Sequence, residues 1–197
     1  AGFDPNENTM KHGHDAPLVM FSNCDRLEVF VGGERKGDFR PARDRFPNLP
    51  HPPFLCTGLG TLWGPSWQEL RIVGYVGKQA VAEQRFPATH DETSLAMTVD
   101  DRELTADGTD MTRILLCHVD AFGNPQPHSR AVVTLEVMGP AELVGPNPCA
   151  LAGGVTGLYL RAGIVPGVVK LKAGAAELGR PREATVRIRR AVKRRHL

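Results

Sequence analysis

Apolar and polar residues alternate in short runs along most of this chain, and glycine, proline and asparagine punctuate the runs. Between Pro17 and Gly37, two apolar runs, residues 18–21 and 27–31, flank the polar Ser22-Asn23-Cys24-Asp25. That layout predicts a hairpin of the two runs. Period-two alternation places Leu27, Val29 and Val31 on an inner face and Glu28 and Phe30 on the outer one. Gly32-Gly33 then offers a tight turn into a polar strand. Residues 38–68 form a long connection in which Pro50-His51-Pro52-Pro53-Phe54 is held extended, because each proline restricts its predecessor and removes a donor. Residues 69–76 and 79–86, joined at Gly77-Lys78, predict a second hairpin with Leu70, Ile72 and Gly74 on one face.

The alternation resumes beyond residues 87–91, which read as a linker. Inward sets are predicted at Leu95, Met97 and Val99; at Ile114, Leu116 and His118, or alternatively Leu115, Cys117 and Val119; at Val133, Leu135 and Val137; at Leu158 and Leu160; at Val169 and Leu171; and at Val186 and Ile188. Turns are legible at Ala106-Asp107-Gly108, Phe122-Gly123-Asn124-Pro125 and Gly145-Pro146-Asn147-Pro148. Strands at this spacing describe a β-sandwich. The expected fold is all-β, two tandem immunoglobulin-like antiparallel β-sandwich domains. The expected divisions are an N-terminal extension at 1–16, a module at 17–90 with a long Pro/Trp-rich loop, a second module at 91–190 and a basic tail at 191–197.

Composition narrows the function classes. The formal net charge of +2 calls for no strongly charged partner. No apolar run reaches the length of a bilayer span, so no membrane partner is expected, and the first residues lack a signal-peptide core. The compartment, cytoplasmic or secreted, stays open. Cys24, Cys56, Cys117 and Cys149 form no C-x-x-C pair, which argues against zinc and favours buried thiols behaving as small hydrophobes. No cofactor or metal is expected: Asp4, Asn6, Asn8 and Asp15 follow a calcium-loop spacing, but Thr9 stands where the loop needs glycine. His12 and His14 lack a third spaced ligand. The basic run from Arg187 alternates with Val186 and Ile188 as the outer face of a last strand, so no nucleic-acid partner is expected.

Two stretches carry a resemblance. SNCDRLEVFVGG, followed by a basic residue and Gly37, resembles the first immunoglobulin-like module after the catalytic barrel in bacterial family-2 glycoside hydrolases of the β-galactosidase kind, with Gly32-Gly33 where Asn-Gly is usual. Asn48-Leu49-Pro50-His51-Pro52-Pro53-Phe54 resembles the segment that leads into a strand in the same family. LTADGTD, VDAFGNPQP, VTLEVMGPAELVG and GLYLRAGIVPGVVKLKA resemble, in order, the bacterial Ig-like modules that close such enzymes. The resemblance implies a bacterial source and a non-catalytic C-terminal region of a β-galactosidase-like enzyme, acting in scaffolding, domain packing or subunit contact. The implied partner is the catalytic barrel of the same parent chain, with a second copy or a glycan as alternatives. The parent would hydrolyse β-galactosides with retention, using two glutamates on a barrel of about 250 residues.

No catalytic residue is assigned. A nucleophile elbow and a phosphate loop are both absent from the sequence. Glu136 and Glu142 read as a solvated strand face and a turn edge. The sharper candidate chemistry is carbohydrate binding, since exposed aromatic rings can lie against the C–H faces of sugars while charged groups meet hydroxyls. Trp63, Trp67, Phe54, His51 and Arg45, with Phe46 in the same loop, are its candidates. Against it stands an anchoring role, in which the large rings fill the open end of a sandwich.

Overall fold

The computed structural model describes residues 17–59, 68–89 and 92–191. Every regular element among them is a β-strand, and the chain forms two compact units, residues 1–91 and 92–197.

The first unit contains β1 (Leu18–Met20), β2 (Arg26–Val31), β3 (Glu34–Phe39), β4 (Phe54–Cys56), β5 (Leu70–Val76) and β6 (Gln79–Phe86). Four of these make an antiparallel sheet in the order β3-β2-β5-β6. Gly32 and Gly33, at φ 59° and 83°, close the β2–β3 hairpin. Both turn positions need the left-handed region that a side chain disfavours. β5 and β6 form the expected hairpin across Gly77-Lys78.

Leu27, Val29 and Val31 are buried, as the alternation requires. They pack with Leu70, Met20, Phe54, Cys56 and Leu59, against which Leu18, Phe39, Ile72 and Phe86 close. The expected hairpin of residues 18–21 with β2 does not form. β1 pairs instead with β4, Leu18 opposite Cys56 and Met20 opposite Phe54. The link Ser22-Asn23-Cys24-Asp25 contains no glycine, and no non-glycine residue in the described chain has a positive φ. The link crosses between layers, with Asp25 N–H donating to the Tyr75 carbonyl at 2.8 Å.

The second unit contains β7 (Ser94–Val99), β8 (Glu103–Thr105), β9 (Met111–Val119), β10 (Val132–Met138), β11 (Ala141–Val144), β12 (Cys149–Ala150), β13 (Val155–Ala162), β14 (Gly167–Gly174) and β15 (Arg182–Arg189). A five-stranded sheet, β12-β10-β14-β15-β8, faces a four-stranded sheet, β11-β13-β9-β7. On β9 the inward set is Thr112, Ile114 and Leu116, which settles the choice the sequence left open. Leu95, Val99, Val133, Leu135, Leu158, Leu160, Val169, Leu171, Val186 and Ile188 fill the rest of the core.

Three short strands, β8, β11 and β12, escape sequence reasoning. β8 also breaks the antiparallel rule, because it pairs in parallel with β15. Glu142, expected at a turn edge, lies on β11 opposite Arg161 and forms an ion pair with it at 2.6 Å. Glu136 sits on the exposed face of β10, as expected. Buried polar groups in this unit are paired: Thr112 Oγ1 accepts the Asp101 N–H at 2.8 Å. Asp120 accepts the N–H groups of Phe122 and Asn124, both at 2.9 Å. The Asn147 side chain extends the β10 ladder, accepting from Leu135 N–H at 3.0 Å and donating to its carbonyl at 2.8 Å.

Among the described residues, His118 is the exception. Both of its ring nitrogens are buried without a hydrogen-bond partner. Loss of water around the ring pushes its pKa below the usual histidine value, a nearby Glu177 carboxylate opposing the shift. The four cysteines are free thiols, and burial pushes the Cys56 thiol up to about 12.

Two outcomes follow for solution measurements. Leu116→Ala, at a fully buried position, lowers stability by about 2–5 kcal/mol in urea unfolding, whereas Val168→Ala on an exposed face changes it by no more than about 0.5 kcal/mol. The His118 effect appears as a pH dependence. The unfolded imidazole takes up its proton near 6.5 while the folded one resists it, so the unfolded state binds more protons below that value. Stability therefore falls as pH drops through about 6.5 and keeps falling until the folded ring itself titrates. His118→Phe removes that slope while leaving the more acidic, carboxylate-driven loss in place; an unchanged slope contradicts the assignment.

Candidate functional site

The first unit holds the features that distinguish this chain from a plain sandwich. Among the described residues, the strands that cover the inner side of its four-stranded sheet are β1 and β4. Pairing of β5 with β6 sets Ala82 beside Gly74, Gln84 beside Ile72 and Phe86 beside Leu70 on that inner face. The two-stranded layer reaches Leu27, Leu70 and Ile72 but leaves Ala82 and Gln84 exposed. Between the layers opens an apolar groove of about 530 Å³, walled by β1, by Leu27, Leu70 and Ile72, and by Ala82, Gln84 and Phe86. Phe21 stands at its rim with 83% of its surface exposed. Gly74 leaves room for the Cys24 side chain: a Cβ there would lie 2.6 Å from Cys24 Sγ.

The outer face of the same sheet is polar and paired. Arg26 stacks 3.8 Å above the Tyr75 ring and Arg71 3.9 Å above the Phe30 ring. Tyr75 donates its hydroxyl proton to Glu28 at 2.9 Å, and Arg35 pairs with both Glu28 and Asp38. The hydrogen bond from Arg35 holds the Glu28 carboxyl below its ordinary pKa, and that from Arg26 does the same for Asp38. Near the end of this face, Asp25, Arg26, Arg40, Pro41, Arg43 and Gly77 line a polar pocket of about 530 Å³. Sequence reasoning passed over this arginine group, although Arg40, Arg43 and Arg45 stand close together in the chain.

The described sugar-binding candidates are Phe54, His51 and Arg45. Trp63 and Trp67 lie outside the described residues. Phe54 is fully buried at the start of β4, where it pairs with Met20 and packs on Val29 and Leu27, and its ring offers no face to a ligand. His51 and Arg45 are exposed in the connection between β3 and β4, and the Arg45 guanidinium lies 6.0 Å from the Phe46 ring centre. The calcium-like residues Asp4, Asn6, Asn8 and Asp15, and also His12 and His14, lie outside the described residues. Among the described residues no group of three metal-ligating side chains comes together. No described helix is long and apolar enough to cross a membrane.

Comparison with known proteins places this architecture. Residues 95–182 match the model of "Glycoside hydrolase family 2 C-terminal domain 5". A β-galactosidase of Rhizobium meliloti is 36% identical over 145 residues, covering 70% of this chain and 19% of that enzyme. A β-galactosidase of Rhizobium radiobacter is 32% identical over 120 residues, covering 61% of this chain and 87% of that relative. A β-glycosidase structure from Bacteroides vulgatus superposes with a TM-score of 0.68 over 90% of this chain and 23% of that one, at 18% identity, a likeness of fold. The chain thus spans about a fifth of the length of the Rhizobium meliloti relative. With sequence and fold both pointing the same way, the chain belongs to glycoside hydrolase family 2, as a non-catalytic C-terminal domain region of a β-galactosidase-like protein.

Proposed function

We propose that this chain is an accessory scaffold within a β-galactosidase-like enzyme, and that the groove of its first unit is the seat on which the catalytic barrel of the same parent chain packs. One observation carries the reading. Among the described residues, a sheet with an apolar inner face is left half covered along β6, beside a phenylalanine that is 83% exposed. Apolar surface of this kind on a folded unit marks a contact site. The relatives supply the occupant, since roughly four-fifths of the Rhizobium meliloti enzyme lies outside the matched region. The parent reaction would be hydrolysis of β-galactosides with retention. In this reading the groups that perform it sit on the barrel, because glycoside cleavage needs two facing carboxyl groups, whereas Glu136 and Glu142 are solvated or ion-paired on the sandwich surface.

The test places charge where the packing would be. In the complete parent enzyme, Phe21→Asp and Ala82→Arg lower the temperature of heat inactivation by several degrees. In the 197-residue chain alone the same substitutions change the free energy of unfolding by no more than about 1 kcal/mol. Equal effects in both settings would reduce the groove to a local feature of the unit. No effect in the complete enzyme would sink the packing role. Concentration-dependent dimerisation of the isolated chain, abolished by Ala82→Arg, would assign the groove to a second copy. A saturable change in tryptophan fluorescence with β-linked galacto-oligosaccharides would favour the carbohydrate-binding alternative at Trp63 and Trp67.

A further inference from the structure

We infer that the polar pocket at the start of β2 is a binding site for an oxyanion group, a phosphate or a carboxylate, carried on a ligand about the size of a monosaccharide. Its lining converges from three separate stretches of chain: Asp25 and Arg26 entering β2, Gly77 in the β5–β6 turn, and Arg40, Pro41 and Arg43 after β3. The chain as a whole is close to neutral, so three arginines among six lining residues are a local concentration rather than a sample of the surface.

Their partners decide what the pocket can do. Arg26 is already engaged, paired with Asp38 and stacked on Tyr75. Arg40 and Arg43 have no carboxylate partner among the described residues. The carboxylate of the pocket, Asp25, spends one oxygen on the Gly77 N–H at 2.8 Å, which ties it to the turn. Positive charge is therefore in excess and has donors to spare. A guanidinium presents its N–H groups in a planar fork that matches the paired oxygens of a carboxylate or phosphate. The backbone beneath is fixed as well. Ala42 N–H donates to the Pro53 carbonyl at 2.9 Å, Phe46 N–H to the Ala42 carbonyl at 3.0 Å, and Pro41 bridges to Phe54. Because Phe54 is fully buried, the backbone bearing Arg40 and Arg43 is anchored in the core, so the ordering cost of binding falls on the two exposed side chains and not on the chain that carries them. A volume of about 530 Å³ exceeds what a bare ion fills and leaves room for a sugar ring.

The inference is independent of the packing role, since groove and pocket share no residue. It is tested on the 197-residue chain by NMR titration at constant ionic strength with inorganic phosphate, galacturonate and, as an uncharged control, galactose. Saturable shifts of the Arg26, Arg40, Arg43 and Gly77 signals are expected with phosphate or galacturonate and none with galactose. The tighter of the two names the group the pocket takes. Arg40→Gln with Arg43→Gln weakens that binding by about tenfold or more without changing the unfolding midpoint, while Arg40→Lys with Arg43→Lys, which keeps charge and loses the fork, retains part of it. Shifts that grow linearly without saturating, shifts equally produced by chloride, or binding unchanged in the double glutamine variant would each overturn the assignment.

Discussion

A sheet with one apolar face must be covered, and the width of the covering layer governs everything distinctive about this chain. In the second unit four strands meet five, and the inward side chains of both sheets close on one another. In the first unit the described cover is two short strands over four. Those two strands suffice for β2 and the near half of β5, which is why Val29 and Phe54 are wholly inaccessible. They do not reach β6, whose exposed residues run along both faces for most of its length. An edge strand of this kind is usually blunted by charge or covered by another element. Glu83 and Arg85 supply charge on its outer face, where they pair with Arg71 and Glu69. The inner face carries Ala82 and Gln84 and stays open to the groove.

The two faces of that single sheet thus do different work. Inside, burial of Leu27, Val29, Val31 and Leu70 holds the layers together. Outside, arginines lie over aromatic rings and carboxylates bridge them, so the polar face is ordered without a hydrophobic cover. Exposed ion pairs contribute little to stability one by one. Their effect is positional: Arg26, held by Asp38 and Tyr75, becomes a fixed wall of the arginine pocket. The same β5–β6 turn that finishes the hairpin at Gly77 also satisfies Asp25. Local turn chemistry and the pocket are in this sense one structure.

Much of this was legible from one-dimensional information. The alternation in β2 assigned Leu27, Val29 and Val31 inward and Phe30 outward, and paired glycines located the β2–β3 turn. The inward sets of β7, β10, β13, β14 and β15 were readable for the same reason, that a strand's side chains alternate faces strictly. Three short strands were not, because two to four residues are too few to display a period. Of the proposed sugar-contacting group, Phe54 shows the limit most plainly. The stretch ahead of it resembles one that leads into a strand, and it does begin one, but nothing in the spacing revealed that its ring is fully buried.

The sequence by itself determined which residues face inward, where glycines permit the chain to reverse, and that the chain is built of strands, because those properties depend only on spacing along the backbone and on side-chain size. Only the tertiary structure decided which strand lies beside which. Residues 18–20 chose Phe54–Cys56 over the neighbouring β2, and β8 chose a parallel place beside β15, since pairing depends on which layer still lacks cover after the rest has packed. The open groove is a product of that choice, and the meeting of Arg26 with Arg40 and Arg43 is likewise a product of the fold, because those residues come from separate stretches of chain.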